Sequence, residues 1–177
     1  SADGRLLAAV AGSQVVVWTL APANPAQSSE PIQIVGGFAQ GESAYQVVFD
    51  DQNNRMAAGG EEGSILLWHT DDWRVLPTVE RQAGRVRLAW YPGGQYLASA
   101  SGENNVYAVK SFNVNTRQQA WSHAQQGHSI YSLAVTPDGA RVVYGRQDGD
   151  LVDLDASNGS HISEAFHAVG WPTAQAY

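Results

Sequence analysis

Side chains capable of acid–base or metal chemistry are few in this sequence and poorly placed for it. The five histidines, His69, His123, His128, His161 and His167, include no His-x-x-x-His pair, and the chain has no cysteine. A zinc site built from the usual nitrogen and sulfur ligands is not indicated. Three pairs of adjacent carboxylates, Asp50-Asp51, Glu61-Glu62 and Asp71-Asp72, bring acid and base types together. Neighbouring residues on a strand point to opposite faces, and in turns Asp caps backbone N–H groups instead. The alternation Asp148, Asp150, Asp153, Asp155 suggests calcium, but the ligand spacing and closing Glu of a calcium loop are missing. No nucleophile elbow, phosphate-binding loop or dinucleotide fingerprint is present; Gly36-Gly37 and Gly59-Gly60 stand isolated. No catalytic residue, cofactor or metal ligand is assigned, and the chain reads as a non-enzyme.

Composition narrows the partners. The 177 residues carry 10 basic and 17 acidic side chains, a net charge of −7. Nucleic-acid binding rests on Lys and Arg displacing counterions from phosphates. Here Lys110 is the only lysine and the arginines are scattered, with Arg81, Arg85 and Arg87 the nearest to a cluster. No nucleic-acid partner is expected. No apolar run approaches the length of a membrane span, so no membrane partner is expected either. With 44% hydrophobic and 15% charged residues the chain is expected to bury a core. The lack of cysteine is compatible with the cytoplasm, the compartment expected. Starting at Ser1 without a leader, the sequence reads as a piece of a longer polypeptide.

A repeat organises the whole chain. Arg5 to Thr19, Arg55 to His69, Tyr96 to Lys110 and Arg141 to Asp155 align without gaps. Each places a large apolar residue thirteen positions after its first: Trp18, Trp68, Val109 and Leu154. Within each unit a small apolar run, a polar turn and a second apolar run spell a β-hairpin. Another strand is expected upstream of the later units, at Tyr45 to Phe49, Val86 to Trp90 and Ile130 to Val135. A more polar one is expected downstream, at Ile32 to Val35, Val75 to Val79, Gln119 to Ser122 and His161 to Ala165. The unit is four short strands, recurring from residues 5, 55, 96 and 141 at intervals of 50, 41 and 45. The longest interval holds the Pro-rich loop Ala21 to Pro31. Intervals of this size match a four-stranded propeller blade.

The segment Gly127-His128, Ile130 to Val135, Thr136-Pro137-Asp138-Gly139 and Asp148-Gly149 resembles one full repeat of the WD-repeat (WD40) β-propeller family. The other three units are degenerate. Trp18-Thr19, Trp68-His69, Val109-Lys110 and Leu154-Asp155 stand where the family often has Trp-Asp, so no unit keeps that dipeptide. The resemblance implies an all-β fold, a β-propeller of four-stranded antiparallel blades, four of them in this chain. Blade 1 covers strands two to four over about 5–36, blade 2 about 44–80, blade 3 about 85–123 and blade 4 about 129–166. In the family a buried His, a turn Asp, a strand Ser or Thr and the Trp form a hydrogen-bonded tetrad. That implies structural roles for His128, Asp148, Trp18 and Trp68.

A spare innermost strand is expected at about 169–177. Joined to Ser1, the C-terminus lays Tyr177-Ser1-Ala2-Asp3-Gly4 on Val135-Thr136-Pro137-Asp138-Gly139. An unpaired inner strand invites pairing, and three arrangements accommodate it. The chain is part of a larger seven- or eight-bladed ring, or two copies close one eight-bladed ring as a homodimer through open inner-strand edges, or four blades close on themselves. Partners of the family commonly dock on the loops before the innermost strand and the turns between strands two and three. Carried over, those loops hold Ser43 and Tyr45, Arg85 and Arg87, Ser129 and Tyr131, and Trp171; the turns hold Glu61, Gly102 and Gln147. Tyr, Trp and Arg are enriched at binding hot spots. The candidate rim is therefore Tyr45, Arg85, Arg87, Tyr131, Trp171, Glu61 and Gln147, facing a protein or peptide, with the chain as a scaffold or sensor module. The inner strands otherwise carry Val47, Val48, Leu88, Ala89, Leu133 and Ala134, which argues against a catalytic channel. Tyr45 and Tyr131 also suit plain packing between blades.

Overall fold

The computed structural model describes residues 1–20, 31–33, 37–39, 41–50, 52 and 54–167. Short apolar runs punctuated by Gly, Asn and Asp turns give fifteen strands and no helix among these residues. They form four antiparallel sheets, each a meander in chain order. Blade 1 holds β1 (Leu6–Ala11), β2 (Gln14–Thr19) and β3 (Pro31–Gln33). Blade 2 holds β4 (Ala44–Asp50), β5 (Arg55–Gly60), β6 (Ile65–His69) and β7 (Val75–Leu76). Blade 3 holds β8 (Arg87–Trp90), β9 (Tyr96–Glu103), β10 (Val106–Asn113) and β11 (Gln118–Gln126). Blade 4 holds β12 (Ile130–Val135), β13 (Arg141–Arg146), β14 (Asp150–Asp155) and β15 (His161–His167). The strand expected at 169–177, and most of the loop from Ala21 to Pro31, lie outside the described residues.

Why the middle strands read as unbroken apolar runs is explained by where their faces go. Alternate residues point to opposite neighbours, and blades 2 and 3 have a neighbour on each face. Met56, Ala58 and Trp68 pack with Val15 and Val17 of blade 1. The alternate residues Ala57, Ile65 and Leu67 pack with Leu88, Leu97 and Phe112 of blade 3. Ala98, Ala100, Val109 and Trp121 then pack with Val142, Tyr144, Val152 and Leu154 of blade 4. The core is thus three layers, one between each pair of consecutive blades. The small residues of β5 and β9 let the sheets approach closely.

The register corrects the expectation of equal pairing in two of the four units; in blade 1 Trp18 faces Leu7, not Leu6, which stands where Met56 does in blade 2. In blade 2 Met56 faces Trp68, and in blade 4 Val142 faces Leu154, as equal thirteen-residue spacings require. In blade 3 the residue facing Leu97 is Phe112, not Val109, which faces Ala100. The β9–β10 hairpin is longer, turning at Asn104 and Asn105, both with positive φ (53° and 64°). Two consecutive left-handed residues are what a tight two-residue hairpin turn requires. The third repeat therefore carries Phe112 in the position of Trp68.

Candidate partner-binding rim

The innermost strands β4, β8 and β12 begin next to one another, and the turns between second and third strands rise beside them. Two equivalent bonds tie these parts. The Glu61 N–H donates to the Ser43 carbonyl at 2.9 Å in blade 2, and the Gln147 N–H to the Ser129 carbonyl at 2.8 Å in blade 4. Glu61 and Gln147 thus hold matching places in their blades. Across blades, the Gln46 side-chain oxygen accepts from the Leu88 N–H at 2.8 Å, covering part of the next inner strand's open edge.

Arg87 stands at the centre. It is the first residue of β8 and half-buried. Its Nη2 donates to the Tyr45 hydroxyl at 2.7 Å. Its guanidinium carbon lies 4.9 Å from the centre of the Tyr45 ring and 5.6 Å from that of Tyr131. Both separations fall within the range of cation–π attraction. Burial pulls the Arg87 pKa down, while the Tyr45 hydroxyl works against that shift; a guanidinium stays charged through such changes. Arg85 lies outside it, its guanidinium carbon 5.7 Å from the Tyr45 ring and its Nε 3.1 Å from a Glu61 carboxylate oxygen. Between blades 3 and 4 these arginines and Tyr131 border a pocket of about 150 Å³ with Ser101, Gly102, Tyr107 and Ser129. The Tyr107 hydroxyl and Ser129 Oγ are 2.8 Å apart and hydrogen bonded.

Of the seven candidate rim residues, Tyr45, Glu61, Arg85, Arg87 and Tyr131 come together. Gln147 is exposed and anchored to Ser129, and Trp171 lies outside the described residues. Tyr45 and Tyr131 are each half-buried, so the same rings that pack the blade contacts also border the rim. Among the described residues no three His, Asp or Glu side chains gather as metal ligands.

The expectation of a buried His128 is corrected. Its side chain is 48% exposed, with Nε2 3.5 Å from Asp148 Oδ2. The closer partner of Asp148 is Arg146, which donates from Nε at 3.0 Å and from Nη2 at 2.7 Å. Burial pushes the Asp148 carboxyl up, but the bonds from Arg146 and the Asp150 backbone outweigh it and hold the carboxyl below its usual range. A guanidinium holds the turn Asp, so the imidazole can remain at the surface. Trp68 is fully buried and Trp18 half-buried, both in strands away from the rim.

Glu42 is a residue that motif reading passed over. Buried to 4% exposure, its carboxylate accepts from the N–H groups of Glu62 and Ser64 and from Ser64 Oγ, at 3.1, 3.0 and 2.7 Å. It clamps the blade 2 turn from the position His128 holds in blade 4. The signal was in the parallel between Gly41-Glu42-Ser43-Ala44-Tyr45 and Gly127-His128-Ser129-Ile130-Tyr131. It was hidden because the aligned residues differ in charge.

No family model matches the chain. A WD repeat-containing protein, SL1-17, from Schistosoma mansoni is 29% identical over 105 residues, 59% of this chain and 34% of that protein. The human U3 small nucleolar RNA-associated protein 4 homolog is 24% identical over 110 residues, 59% of this chain and 15% of that protein. The chain thus spans about a third or less of the length of these curated relatives. A chain of the crystal structure of the mitotic checkpoint complex superposes with a TM-score of 0.80 at 19% identity, covering 99% of this chain and 52% of that one. The computationally designed Ika4 protein superposes with a TM-score of 0.67 at 20% identity, covering 82% of this chain and 86% of that one.

Proposed function

We propose that this chain, a WD-repeat β-propeller by its repeats, its relatives and its fold, is a non-enzymatic module whose rim around Tyr45, Arg87 and Tyr131 receives a protein or peptide. Its relatives and structural neighbours support a protein-interaction scaffold in general. The observation that carries the finer reading is the half-buried Arg87 between two tyrosine rings, at a rim built by three successive blades. Such a group needs little ordering when a partner arrives, which lowers the entropic cost of binding. The test is to select peptides from a display library on the chain, then measure their affinity for Arg87→Ala, Tyr131→Phe and Gln147→Ala variants. Arg87→Ala is expected to weaken the selected peptides at least about tenfold, the loss typical of a hot-spot residue, with the far-ultraviolet circular dichroism unchanged. Affinities unmoved in all three folded variants would remove the rim.

A second reading rests on the edge of β1. Among the described residues β1 pairs only with β2, and Leu7 on it is 52% exposed. A strand from a second copy laid on this edge would give blade 1 a fourth strand and join two chains. Light scattering across a dilution series discriminates: a species of twice 19.0 kDa that persists on dilution supports self-assembly, and a folded 19.0 kDa species removes it.

A further inference from the structure

We infer that the pocket between blades 3 and 4 accepts the carboxylate of an acidic side chain on the bound peptide, with Arg87 as its counter-ion. The inference deepens the rim reading and rests on it for the identity of the ligand as a peptide. Three observations converge. First, Arg87 has no carboxylate within ion-pair distance among the described residues, whereas Arg55, Arg81, Arg85, Arg141 and Arg146 each have one. Among the described residues its guanidinium makes one hydrogen bond, to the neutral Tyr45 phenol, whereas a guanidinium carries five N–H donors. A half-buried cation lacking an anion is costly, and a ligand carboxylate offsets that cost with paired hydrogen bonds.

Second, the space beside it suits a small oxyanion. The pocket of about 150 Å³ is bordered by Arg85, Arg87, Tyr107, Ser129 and Tyr131, all with polar atoms. Gly102 also borders it, packed against Tyr107 of the adjoining strand. A Cβ at that position would collide with the Tyr107 ring and backbone, so any side chain there would displace Tyr107. Third, charge selects carboxylate over phosphate. Arg85 is already paired with Glu61 at 3.1 Å, which leaves one unpaired guanidinium for one negative charge. A phosphate dianion would meet the Glu61 carboxylate at the rim, and like charges brought together are destabilising.

The experiment needs no partner. The ¹⁵N-labelled chain, including its arginine Nε–H signals, is titrated at constant ionic strength with N-acetyl-glutamate methylamide. The neutral glutamine analogue and inorganic phosphate serve as comparisons. Saturable shifts centred on Arg87, Gly102 and Ser129 are expected with the glutamate probe and not with the glutamine one. Arg87→Gln is expected to weaken the titration at least about tenfold, as for loss of a charge-assisted pair. The rim variant Glu61→Gln, which removes the competing anion, is expected to strengthen it about threefold. Shifts that are equal for the two analogues, or that centre elsewhere, overturn the inference, and so does phosphate binding more tightly than the glutamate probe. These outcomes are separate from peptide selection: an empty pocket leaves the rim to its own affinity test, and rim-indifferent peptides leave the small-probe titration to be judged alone.

Discussion

At the scale of single residues, the degenerate repeats divide a hydrogen bond between neighbouring blades. Trp68 is fully buried and its Nε1–H has no acceptor among the described residues. Ala58, on the same face of the adjoining strand two pairs further along, supplies no hydroxyl. In blade 3 the position of Ala58 is taken by Ser99, whose buried Oγ has no partner among the described residues, and the position of Trp68 by Phe112, which has no side-chain N–H. One blade keeps the donor and the next keeps the hydroxyl. An unsatisfied buried polar group costs roughly 1–3 kcal/mol, so uniting the pair should recover part of it. Ala58→Ser is expected to raise unfolding stability by about 1 kcal/mol, read as a higher urea midpoint at unchanged slope. Ala57→Ser is the control: it faces blade 3 among Ile65, Leu67 and Phe112 and is expected to lower the midpoint. If both substitutions destabilise equally, Trp68 is not within reach of residue 58 and the divided-pair account fails.

At the scale of elements, blades 3 and 4 are held together by the turn between β14 and β15. The Ala156 carbonyl accepts from Trp121 Nε1 at 2.9 Å and from the Tyr91 hydroxyl at 3.2 Å. Gly159, at φ 73°, lies flat under the Trp121 indole, where a Cβ would strike the ring. Burial pushes the Tyr91 hydroxyl up to about 12. His123 of β11 sits at the same junction, 6.1 Å from the Tyr144 ring. Burial lowers its imidazole pKa; a hydrogen bond with the Gly159 backbone partly opposes the shift, and the neighbouring His161 adds to it. The unfolded chain then binds the proton first as the pH falls. The stability His123 lends is full above about 6.5, its ordinary value, and is lost below it as the pH falls toward the lowered folded value. His123→Phe is therefore expected to lose less stability between pH 7.5 and 5.5 than the parent chain, measured by urea unfolding at both pH values. Identical losses would remove His123 as the cause. Much of this arrangement was legible in the sequence, because hairpins with Gly, Asn or Asp turns repeat at blade length. Two features were not. The longer β9–β10 hairpin was masked because Val109 is also apolar and falls at the expected spacing, and only strand pairing shows Phe112 opposite Leu97. The surface position of His128 goes with Arg146 bonding Asp148, a contact that sequence proximity alone does not distinguish from a solvated charge.

At the scale of the whole molecule, the three core layers make stability a matter of nearest neighbours. Each described layer joins consecutive blades, so blades 2 and 3 are covered on both faces while blade 1 shares one layer, with blade 2. In arrays of this kind, stability is approximately the sum of what each unit contributes and what each interface adds. Blade 1 has one described interface, three described strands and a β1 edge without an inner neighbour among the described residues. Hydrogen exchange should register that order, since amides open locally where contacts are fewest. The amides of β5, β6, β9 and β10 are expected to exchange slowest and those of β1 fastest among the strands. Val17→Ala removes two methyl-sized groups from the blade 1–2 layer, a loss of roughly 1–3 kcal/mol for a buried aliphatic. It is expected to speed exchange in β1 and β2 while leaving β13 and β14 at parent rates. A uniform increase across all four blades would mean that the layers open as one unit and that the nearest-neighbour account is wrong. Repeating the measurement at tenfold higher concentration separates the two readings of the β1 edge: protection of β1 that rises with concentration requires a second copy on it, and protection that does not change leaves that edge to the single chain.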